Sequence, residues 1–312
     1  MATLEEKHKQ ELELGFGSKN YKTDVRFLNR DGSVNVKRAG LGSLNNFDMY
    51  HWLITATNWQ LTLLIITRYI MINIIFALAY YCVGTENFGG LDGNSEFQKL
   101  TGLFFFSAQT ITTLGYGHIY PINNSASIVA AIESLLGLLS FAIATGVLYG
   151  RFSRPRADIL YSKNVLLAPY KTITGLMLRI ANKKQYELIE SEANVTMTMK
   201  NPSTNRREFY QLSLEINRIN FLAFSWTIVH PIDEKSPIYG LSRQELEERD
   251  IEILVLIKAI NDTYSQTVYS RYSYKWADFV EQAKFKPLKQ EANKYGKLEI
   301  KVADIHHFDK II

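Results

Sequence analysis

Residues 110–117 combine the residue types that a backbone cation-binding site requires. They read Thr-Ile-Thr-Thr-Leu-Gly-Tyr-Gly, so two glycines flank one aromatic residue. Backbone carbonyls can replace the water shell of a cation only if they all point into one narrow lumen, which requires the unusual φ/ψ angles that glycine tolerates. The Thr113 hydroxyl would add an oxygen at the inner mouth, and the Tyr116 ring would hold the diameter from outside. We therefore predict a site for dehydrated cations, in preference to an ordinary Gly-Tyr-Gly turn.

Two long apolar segments flank this string. Residues 61–81 and 126–149 each have about the twenty residues that cross the apolar core of a bilayer. Residues 100–112 are too few to span it and lead directly into the string. Irregular backbone at membrane depth is tolerated only where it lines a water-filled cavity. The sequence therefore predicts two transmembrane helices with a re-entrant half-helix between them, whose negative C-terminal end favours a cation.

Charged residues near the two spans predict their orientation. The loop 84–99 has one basic residue, Lys99, and the acidic residues Glu86, Asp92 and Glu96. On the other side, the basic residues that flank the spans are Lys37 and Arg38 before the first, and Arg151, Arg154, Arg156 and Lys163 after the second. Basic residues stay on the cytoplasmic side, so both termini are expected in the cytoplasm. No cleavable signal peptide is visible, and the first span is expected to act as its own insertion signal.

From about residue 159 the apolar pattern changes to period two. Alternation predicts strands with one buried face at three segments, 195–199, 212–216 and 298–302. Residues 251–257 are almost wholly apolar, which predicts a strand buried on both faces. Ser242 and Glu245 have capping-box spacing and predict one short helix through Arg249. The segments favour a β-sandwich, and no glycine-rich dinucleotide fingerprint supports a Rossmann-type domain.

Further strings extend over nearly the whole chain. They are Arg-Phe at 26–27 with Asp-Gly at 31–32 and Asn-Val at 35–36, Tyr-His-Trp-Leu at 50–53 with Trp59, Phe-Phe-Phe-Ser-Ala-Gln at 104–109, Gly-Arg-Phe-Ser-Arg-Pro at 150–155, and Trp226 with His-Pro-Ile-Asp at 230–233 and Ser-Pro-Ile-Tyr-Gly at 236–240. Together with the filter-like string, they resemble the inward-rectifier potassium channel family, in particular its prokaryotic (KirBac-type) branch.

The resemblance implies an α+β membrane protein that works as a homotetramer, because one chain supplies one of the four filter strands. The implied domains are a cytoplasmic N-terminal segment with a strand (1–45), an interfacial slide helix (46–60), a transmembrane pore domain (61–152) and a cytoplasmic immunoglobulin-like β-sandwich (153–312). The implied function is passive K⁺ conduction across the bacterial inner (plasma) membrane. No cofactor is expected apart from K⁺ in the filter, and no nucleic-acid partner.

Selectivity and filter support follow from the same resemblance. K⁺ coordination is expected from Thr113, Leu114, Gly115, Tyr116 and Gly117, with filter support from Gln109, Thr110, Thr112 and Glu133. Glu133 is expected to support the pore helix through Gln109 or Thr110. Leu114 replaces the usual Val or Ile of the family, and its side chain would loosen packing behind the filter. His118 stands where prokaryotic relatives usually have Asp, which makes it a candidate sensor of outer pH.

Gating is expected at the second span. Phe141 and Tyr149 lie two helical turns apart on one face, where bulky rings close a pore by dewetting. Gly137 and Gly146 are hinge candidates, because glycine inside a helix costs about 0.5–1 kcal/mol relative to Ala and needs a reason. The alternative reason is close packing, which the sequence favours at Gly146, while a hinge fits Gly137.

Three regulatory features complete the expectations. Mg²⁺ or polyamines would block at cytoplasmic acidic rings formed by Glu190 and Asp262, whereas the membrane ring falls at uncharged Phe141, so rectification is expected to be weak. Anionic lipid is the expected regulator, and its basic cluster is Arg151, Arg154 and Arg156. Arg68, inside the first span, is expected to snorkel to the cytoplasmic interface.

Two other functions remain open on the sequence. One is a poorly selective cation channel, because Leu114 and His118 depart from the family pattern. The other is a membrane-anchored sensor with a non-conducting pore. The intact Thr113 and the paired glycines argue against this second possibility. No nucleophile–base pair, phosphate loop or catalytic metal motif indicates an enzyme.

Overall fold

The computed structural model describes residues 26–35, 48–155, 157–204, 206–292 and 298–311. These residues fall into two compact units. Residues 48–154 form a helical unit, and residues 26–35 together with 155–311 form a unit made mostly of strands. Predictions for Lys37, Arg38 and Arg156 lie outside the described residues.

The helical unit contains α1 (Met49–Thr55), α2 (Asn58–Val83), α3 (Glu96–Ile111) and α4 (Asn124–Phe152). Helices α2 and α4 have 26 and 29 residues. At 1.5 Å per residue they are longer than the roughly 30 Å core of a bilayer. Both are apolar enough to cross a membrane, which confirms the two predicted spans.

Polar caps decide where these helices begin. The Thr57 and Gln60 side chains form a capping box at the start of α2, and Ser95 and Gln98 form another at the start of α3. Because Thr57 has extended backbone and starts a new helix, α1 ends at Thr55. The helix predicted at 46–60 as an interfacial slide helix is therefore shorter, and residues 58–60 belong to α2.

The re-entrant helix α3 leads into residues 112–117 as predicted, although it begins at Glu96 rather than at residue 100. A short antiparallel pair, β1 (Phe88–Gly89) with β2 (Tyr120–Pro121), joins the chain entering the re-entrant segment to the chain leaving it. The core between α2, α3 and α4 consists of Ala77, Tyr80, Phe88, Leu103, Phe106 and Ala126. This core fixes α3 against both spans.

The second unit is a β-sandwich, as the sequence predicted. Its strands are β3 (Ile159–Tyr161), β4 (Val165–Tyr170), β5 (Ile173–Asn182), β6 (Leu188–Lys200), β7 (Arg207–Gln211), β8 (Arg218–Phe221), β9 (Ser225–Ile232), β10 (Glu252–Asn261), β11 (Gln266–Lys275) and β12 (Phe279–Glu281). One sheet has the order β11-β10-β6-β7, with β8 also paired to β6, and the other has the order β12-β4-β5-β3, with β9 paired to β5. Leu178 of β5, Val195 of β6 and Val255 of β10 belong to one buried core between the sheets.

Smaller elements complete this unit. They are α5 (Arg243–Glu248), β13 (Ala283–Phe285), β14 (Gln290–Ala292), β15 (Leu298–Ile300) and β16 (Phe308–Lys310). Strand β13 pairs with β16 and β14 pairs with β15. The capping box of Ser242 and Glu245 starts α5, as predicted.

The strand predictions had mixed outcomes. Residues 195–199 lie in β6 and 251–257 lie largely in β10, which confirms both. The predicted strand at 212–216 is wrong, because the chain there crosses between sheets. The Leu212 N–H donates to the Val195 carbonyl of one sheet, and the Glu215 N–H donates to the Val229 carbonyl of the other. The segment 298–302 is a strand only to Ile300, since a 3₁₀ helix begins at Val302.

The described part of the N-terminal segment forms a tight turn and not the implied strand. Leu28 and Val34 make one isolated antiparallel bridge around Gly32, whose φ of 81° places it in the left-handed region. The Phe27 N–H donates to the buried Glu252 carboxylate, at 3.1 and 3.2 Å from its two oxygens. The Ser273 hydroxyl donates to the Leu28 carbonyl at 2.7 Å. These contacts anchor the turn on the β10–β11 sheet.

Candidate ion-conduction site

The backbone of the filter-like string alternates in conformation. Thr113, Gly115 and Gly117 have φ values of 57°, 56° and 82°, in the left-handed region. Successive carbonyls of an extended strand point to opposite sides, and a left-handed residue at every second position turns them toward the same side. This is the arrangement that backbone coordination of a dehydrated cation requires.

Thr113 is the position where this backbone is strained. A non-glycine residue in the left-handed region costs about 1–3 kcal/mol and persists only where its surroundings hold it. The Thr113 N–H donates to the Thr110 carbonyl at 3.0 Å, and the Leu114 N–H donates to the Gln109 carbonyl at 2.8 Å. The C-terminal turn of α3 therefore fixes the first residues of the filter.

The residues Gln109, Thr110 and Thr112, expected to support the filter, form hydrogen bonds at the C-terminal end of α3. Gln109 contributes its backbone carbonyl, while the Thr110 hydroxyl donates to the Phe106 carbonyl at 2.8 Å. The Thr112 hydroxyl donates to the Ala108 carbonyl at 2.7 Å. Both hydroxyls therefore bond within α3 and complete its last turn.

Glu133 is fully buried and contacts α3, but the predicted partners Gln109 and Thr110 are wrong. Its carboxyl group hydrogen-bonds with Tyr80 of α2 and with Ser107 of α3. The Ser107 hydroxyl also lies 3.0 Å from the Asn73 side-chain oxygen. The sequence analysis did not predict that Asn73, Tyr80 and Ser107 would contact Glu133 or one another. The sequence did contain one indication, because each of the apolar helices α2, α3 and α4 contains polar residues.

The two glycines of α4 have opposite surroundings. A Cβ at Gly137 would collide with the carbonyl oxygen of Ile111, at the end of α3. At Gly146 the same atom would meet no other atom of the described residues within 4 Å. Close packing is therefore found at Gly137, where a hinge was expected, and not at Gly146 within this chain.

Arg68 does not snorkel as predicted. Its guanidinium donates to the Ser140 hydroxyl of α4 at 3.1 Å. Both residues line a cavity of about 600 Å³ that also borders Ile111, Thr113 and Phe141. The guanidinium is thus held against α4, in a cavity that Thr113 also borders.

The expected gate and lipid residues that the structure describes lie on the C-terminal half of α4 or, for Arg154, just after its end. Phe141 and Tyr149 are each 74% exposed in this chain. Arg151 donates to the Asn58 side-chain oxygen at 2.6 Å, which ties the end of α4 to the start of α2. Arg154 is exposed.

The expected cytoplasmic rings lie close together on the β6–β10 sheet. Glu190 is left-handed, with φ of 49°, and forms an ion pair with Arg218 at 3.0 Å. The exposed Asp262 follows β10, and its N–H donates to the Glu187 carbonyl at 3.1 Å. The negative charge at Glu190 is thus partly balanced by its own subunit.

The outer side of the filter is open in the single chain. Leu114 and Tyr116 are 55% and 75% exposed, and His118 is exposed as well. A Cβ at Gly115 or Gly117 would meet nothing within 4 Å among the described residues. Within one chain these glycines are therefore required by their backbone angles and not by lack of space.

Comparison with known proteins agrees with the site. The family described as "Inward rectifier potassium channel C-terminal domain" matches residues 159–312, and the family described as "Ion channel" matches residues 68–154. The chain is 36% identical over 256 residues to inward rectifier potassium channel Kirbac3.1 of Paramagnetospirillum magnetotacticum, covering 80% of this chain and 84% of the relative.

Two vertebrate proteins are more distant. Inward rectifier potassium channel 4 of Rattus norvegicus is 24% identical over 315 residues, covering 88% of this chain and 70% of its own length. ATP-sensitive inward rectifier potassium channel 12 of Gallus gallus is 26% identical over 312 residues, covering 91% and 71%. The family consists of ion channels and not of enzymes. With two spans, a re-entrant filter segment and a β-sandwich, the chain belongs to the inward-rectifier potassium channel family.

Proposed function

We propose that four copies of this chain form a K⁺-selective channel in the bacterial inner membrane, with both termini in the cytoplasm. The alternating left-handed residues Thr113, Gly115 and Gly117 carry this proposal. One chain supplies one strand of carbonyls, and a K⁺ filter needs four. The exposed Leu114 and Tyr116 side chains are then packed by neighbouring subunits.

The conduction test compares two glycines with the same backbone requirement. Gly115 and Gly240 have φ values of 56° and 71°, and neither has an atom within 4 Å of an added Cβ among the described residues. Alanine in this region costs about 1–2 kcal/mol. In proteoliposomes, wild type and Gly240→Ala should take up K⁺ with barium sensitivity, and Gly115→Ala should not. Equal uptake by Gly115→Ala and wild type would contradict the assigned filter.

Gating is proposed at Phe141 and Tyr149, whose exposed rings would close the inner pore by dewetting. Gly146 fits the hinge between them, because it is free of close contacts within the described chain. Gly137 is better explained as a packing residue, since it contacts Ile111. Replacing Tyr149 with Ala should therefore raise basal K⁺ flux.

Modulation by anionic lipid is proposed at the end of α4, through Arg151, Arg154 and Arg156. Arg151 is already bonded to Asn58, and its second terminal nitrogen is buried with no partner among the described residues. A lipid phosphate that displaced Asn58 would meet both donors and release α4 from α2. Each basic residue gains about 1 kcal/mol near an anionic leaflet.

Weak rectification by Mg²⁺ or polyamines is proposed from three observations. Phe141 has no charge, Arg68 lines one cavity together with Phe141, and Glu190 is paired with Arg218. Asp262 then carries most of the cytoplasmic attraction for blockers. His118 remains the candidate for sensitivity to outer pH.

A second candidate function is a poorly selective cation channel. Leu114 favours it, because its γ-branched side chain stands where the family usually has Val or Ile. Weak packing behind the carbonyls would let the filter adapt to Na⁺. Replacing Leu114 with Val should then raise the preference for K⁺.

A further inference from the structure

Four fully buried polar side chains form one hydrogen-bonded row behind the filter. Tyr80 and Asn73 lie on α2, Ser107 on α3 and Glu133 on α4. The Tyr80 hydroxyl contacts one oxygen of the Glu133 carboxyl group, and the Ser107 hydroxyl contacts the other. The Ser107 hydroxyl also lies 3.0 Å from the side-chain oxygen of Asn73. The row thus contains three oxygen–oxygen contacts in series.

The orientation of the Asn73 amide is fixed by a neighbour. Its nitrogen lies 2.7 Å from the Tyr69 carbonyl oxygen, which can only accept a hydrogen bond. A flipped amide would place two oxygens against each other at that distance. The Asn73 oxygen therefore faces Ser107 and accepts a proton from it.

Counting protons then identifies the state of Glu133. Three contacts between oxygens need three protons, because each hydroxyl donates only one hydrogen bond. Tyr80 and Ser107 supply one each. If the carboxylate is ionised, Ser107 can donate its one proton either to Glu133 or to Asn73. The other of these two contacts then brings two oxygen lone pairs together and is repulsive. A protonated Glu133 that donates to Ser107 satisfies all three contacts.

The charged groups on the packed helices do not offer Glu133 a counter-ion. Arg68 of α2 donates to Ser140, and Lys99 of α3 pairs with Glu96 at 3.0 Å. The titratable group that α2 places against Glu133 is Tyr80, which is itself a donor in the row. An ionised carboxylate here would be a buried, uncompensated charge, which is very costly.

We infer that Glu133 is a neutral, protonated carboxylic acid that donates to Ser107 and positions the pore helix. The proton chain runs from α4 through α3 to α2, and so joins the filter-bearing helix to both spans. Loss of this proton would break the chain and create a buried charge behind the filter. The positioning role rests on the proposed function, because it links α3 to ion selectivity. The protonation state of Glu133 does not depend on the proposed function.

Infrared difference spectroscopy on the full-length protein in lipid at neutral pH tests the protonation state without any flux. Wild type minus Glu133→Gln should contain the carbonyl stretch of a protonated carboxylic acid, shifted by deuterium exchange. The matched control is Glu96→Gln, which removes an exposed carboxylate and should lose only carboxylate bands. A Glu133→Gln difference with only carboxylate bands would overturn the inference.

Flux measurements then test the positioning role. Glutamine can donate to Ser107 and accept from Tyr80 as a neutral acid does, so Glu133→Gln should keep the K⁺ preference. Glu133→Ala leaves buried partners unsatisfied and should reduce that preference roughly tenfold or more. Equal damage by both variants would overturn the positioning role. Absence of flux in every protein, wild type included, would instead count against the proposed function, while the infrared result would stand.

Discussion

The Arg68 guanidinium on α2 donates a hydrogen bond of 3.1 Å to the Ser140 hydroxyl on α4, one residue before Phe141. A positive charge is therefore held beside Phe141, the residue that the sequence resemblance assigns to the family's membrane ring. The contact joins α2 to α4 and so fixes this charge within the helical unit. Thr113 at the start of the filter, Phe141 and this cation line one cavity.

The first prediction follows from this charge. Phe141→Asp should strengthen Mg²⁺ block, and adding Arg68→Gln should strengthen it further. If the Arg68 charge lies on the order of 10 Å from the bound blocker, each unit of blocker charge is repelled by roughly 1–2 kcal/mol at an effective dielectric constant of about 20, which amounts to about tenfold in blocker affinity. Flux inhibition by internal Mg²⁺ measures the effect. Unchanged block in the double variant relative to Phe141→Asp would mean that Arg68 does not act on the pore.

The second prediction compares the glycines of α4. Gly137→Ala places a methyl group against the Ile111 carbonyl, two residues before the strained Thr113. Overpacking of this kind costs about 1–3 kcal/mol, so flux and tetramer stability should both fall. Gly146→Ala should be tolerated, because its methyl group meets no atom within 4 Å in the described chain. Thermal dissociation of the tetramer and K⁺ flux check both variants, and the reverse order of damage would refute the packing role.

The third prediction concerns the anchor of the N-terminal turn. Burial raises the pKa of Glu252, although hydrogen bonds from the Phe27 and Leu28 backbone and the charges of Lys275 and Arg207 lower it. The native state thus binds this proton more tightly than the unfolded state. The stability from this group is complete below the ordinary pKa of about 4.3 and is lost as pH rises through the raised value.

Thermal unfolding of the full-length protein from about pH 4 to about pH 7 measures this effect. Replacing Glu252 with Gln should remove that part of the pH dependence, so the difference in melting temperature between variant and wild type should grow in favour of the variant with rising pH. A parallel pH dependence for the two proteins would count against a raised pKa.

The fourth prediction has the opposite sign and concerns His230. Its Nδ1 lies 2.7 Å from the Ser213 carbonyl oxygen and must donate to it, while Nε2 lies 2.8 Å from the Ser236 hydroxyl and accepts from it. Burial lowers the pKa of His230, despite the Ser213 bond and nearby Asp233. The neutral ring therefore contributes stability above the ordinary pKa of about 6.5, which is lost as pH falls below it.

Replacing His230 with Asn should reduce overall stability by about 1–3 kcal/mol, because buried partners lose their bonds. The same variant should lose less stability than wild type between about pH 7 and pH 5. The measurement is the melting temperature of wild type and variant at both pH values. An equal loss in both proteins would place the acid sensitivity elsewhere.

The sequence predicted the pore elements because their signals are local. Span length and the glycine spacing at 115 and 117 are each contained in one segment. The alternation at 212–216 was misleading, because Leu212 is buried and Leu214 partly buried where the chain crosses between sheets, whereas Ile216 is exposed. The row through Asn73, Ser107 and Glu133 was not predictable in the same way, since its residues belong to three helices whose contacts only the tertiary fold defines.

The reversal potential under bi-ionic conditions tests the central claim most directly. Purified wild-type protein in a planar bilayer would face K⁺ on one side and Na⁺ on the other, with barium as blocker. A barium-sensitive current whose reversal potential shows strong preference for K⁺ is the predicted result. A reversal potential near zero would show that the carbonyls of residues 113–117 do not discriminate between the ions, and would contradict a K⁺-selective channel.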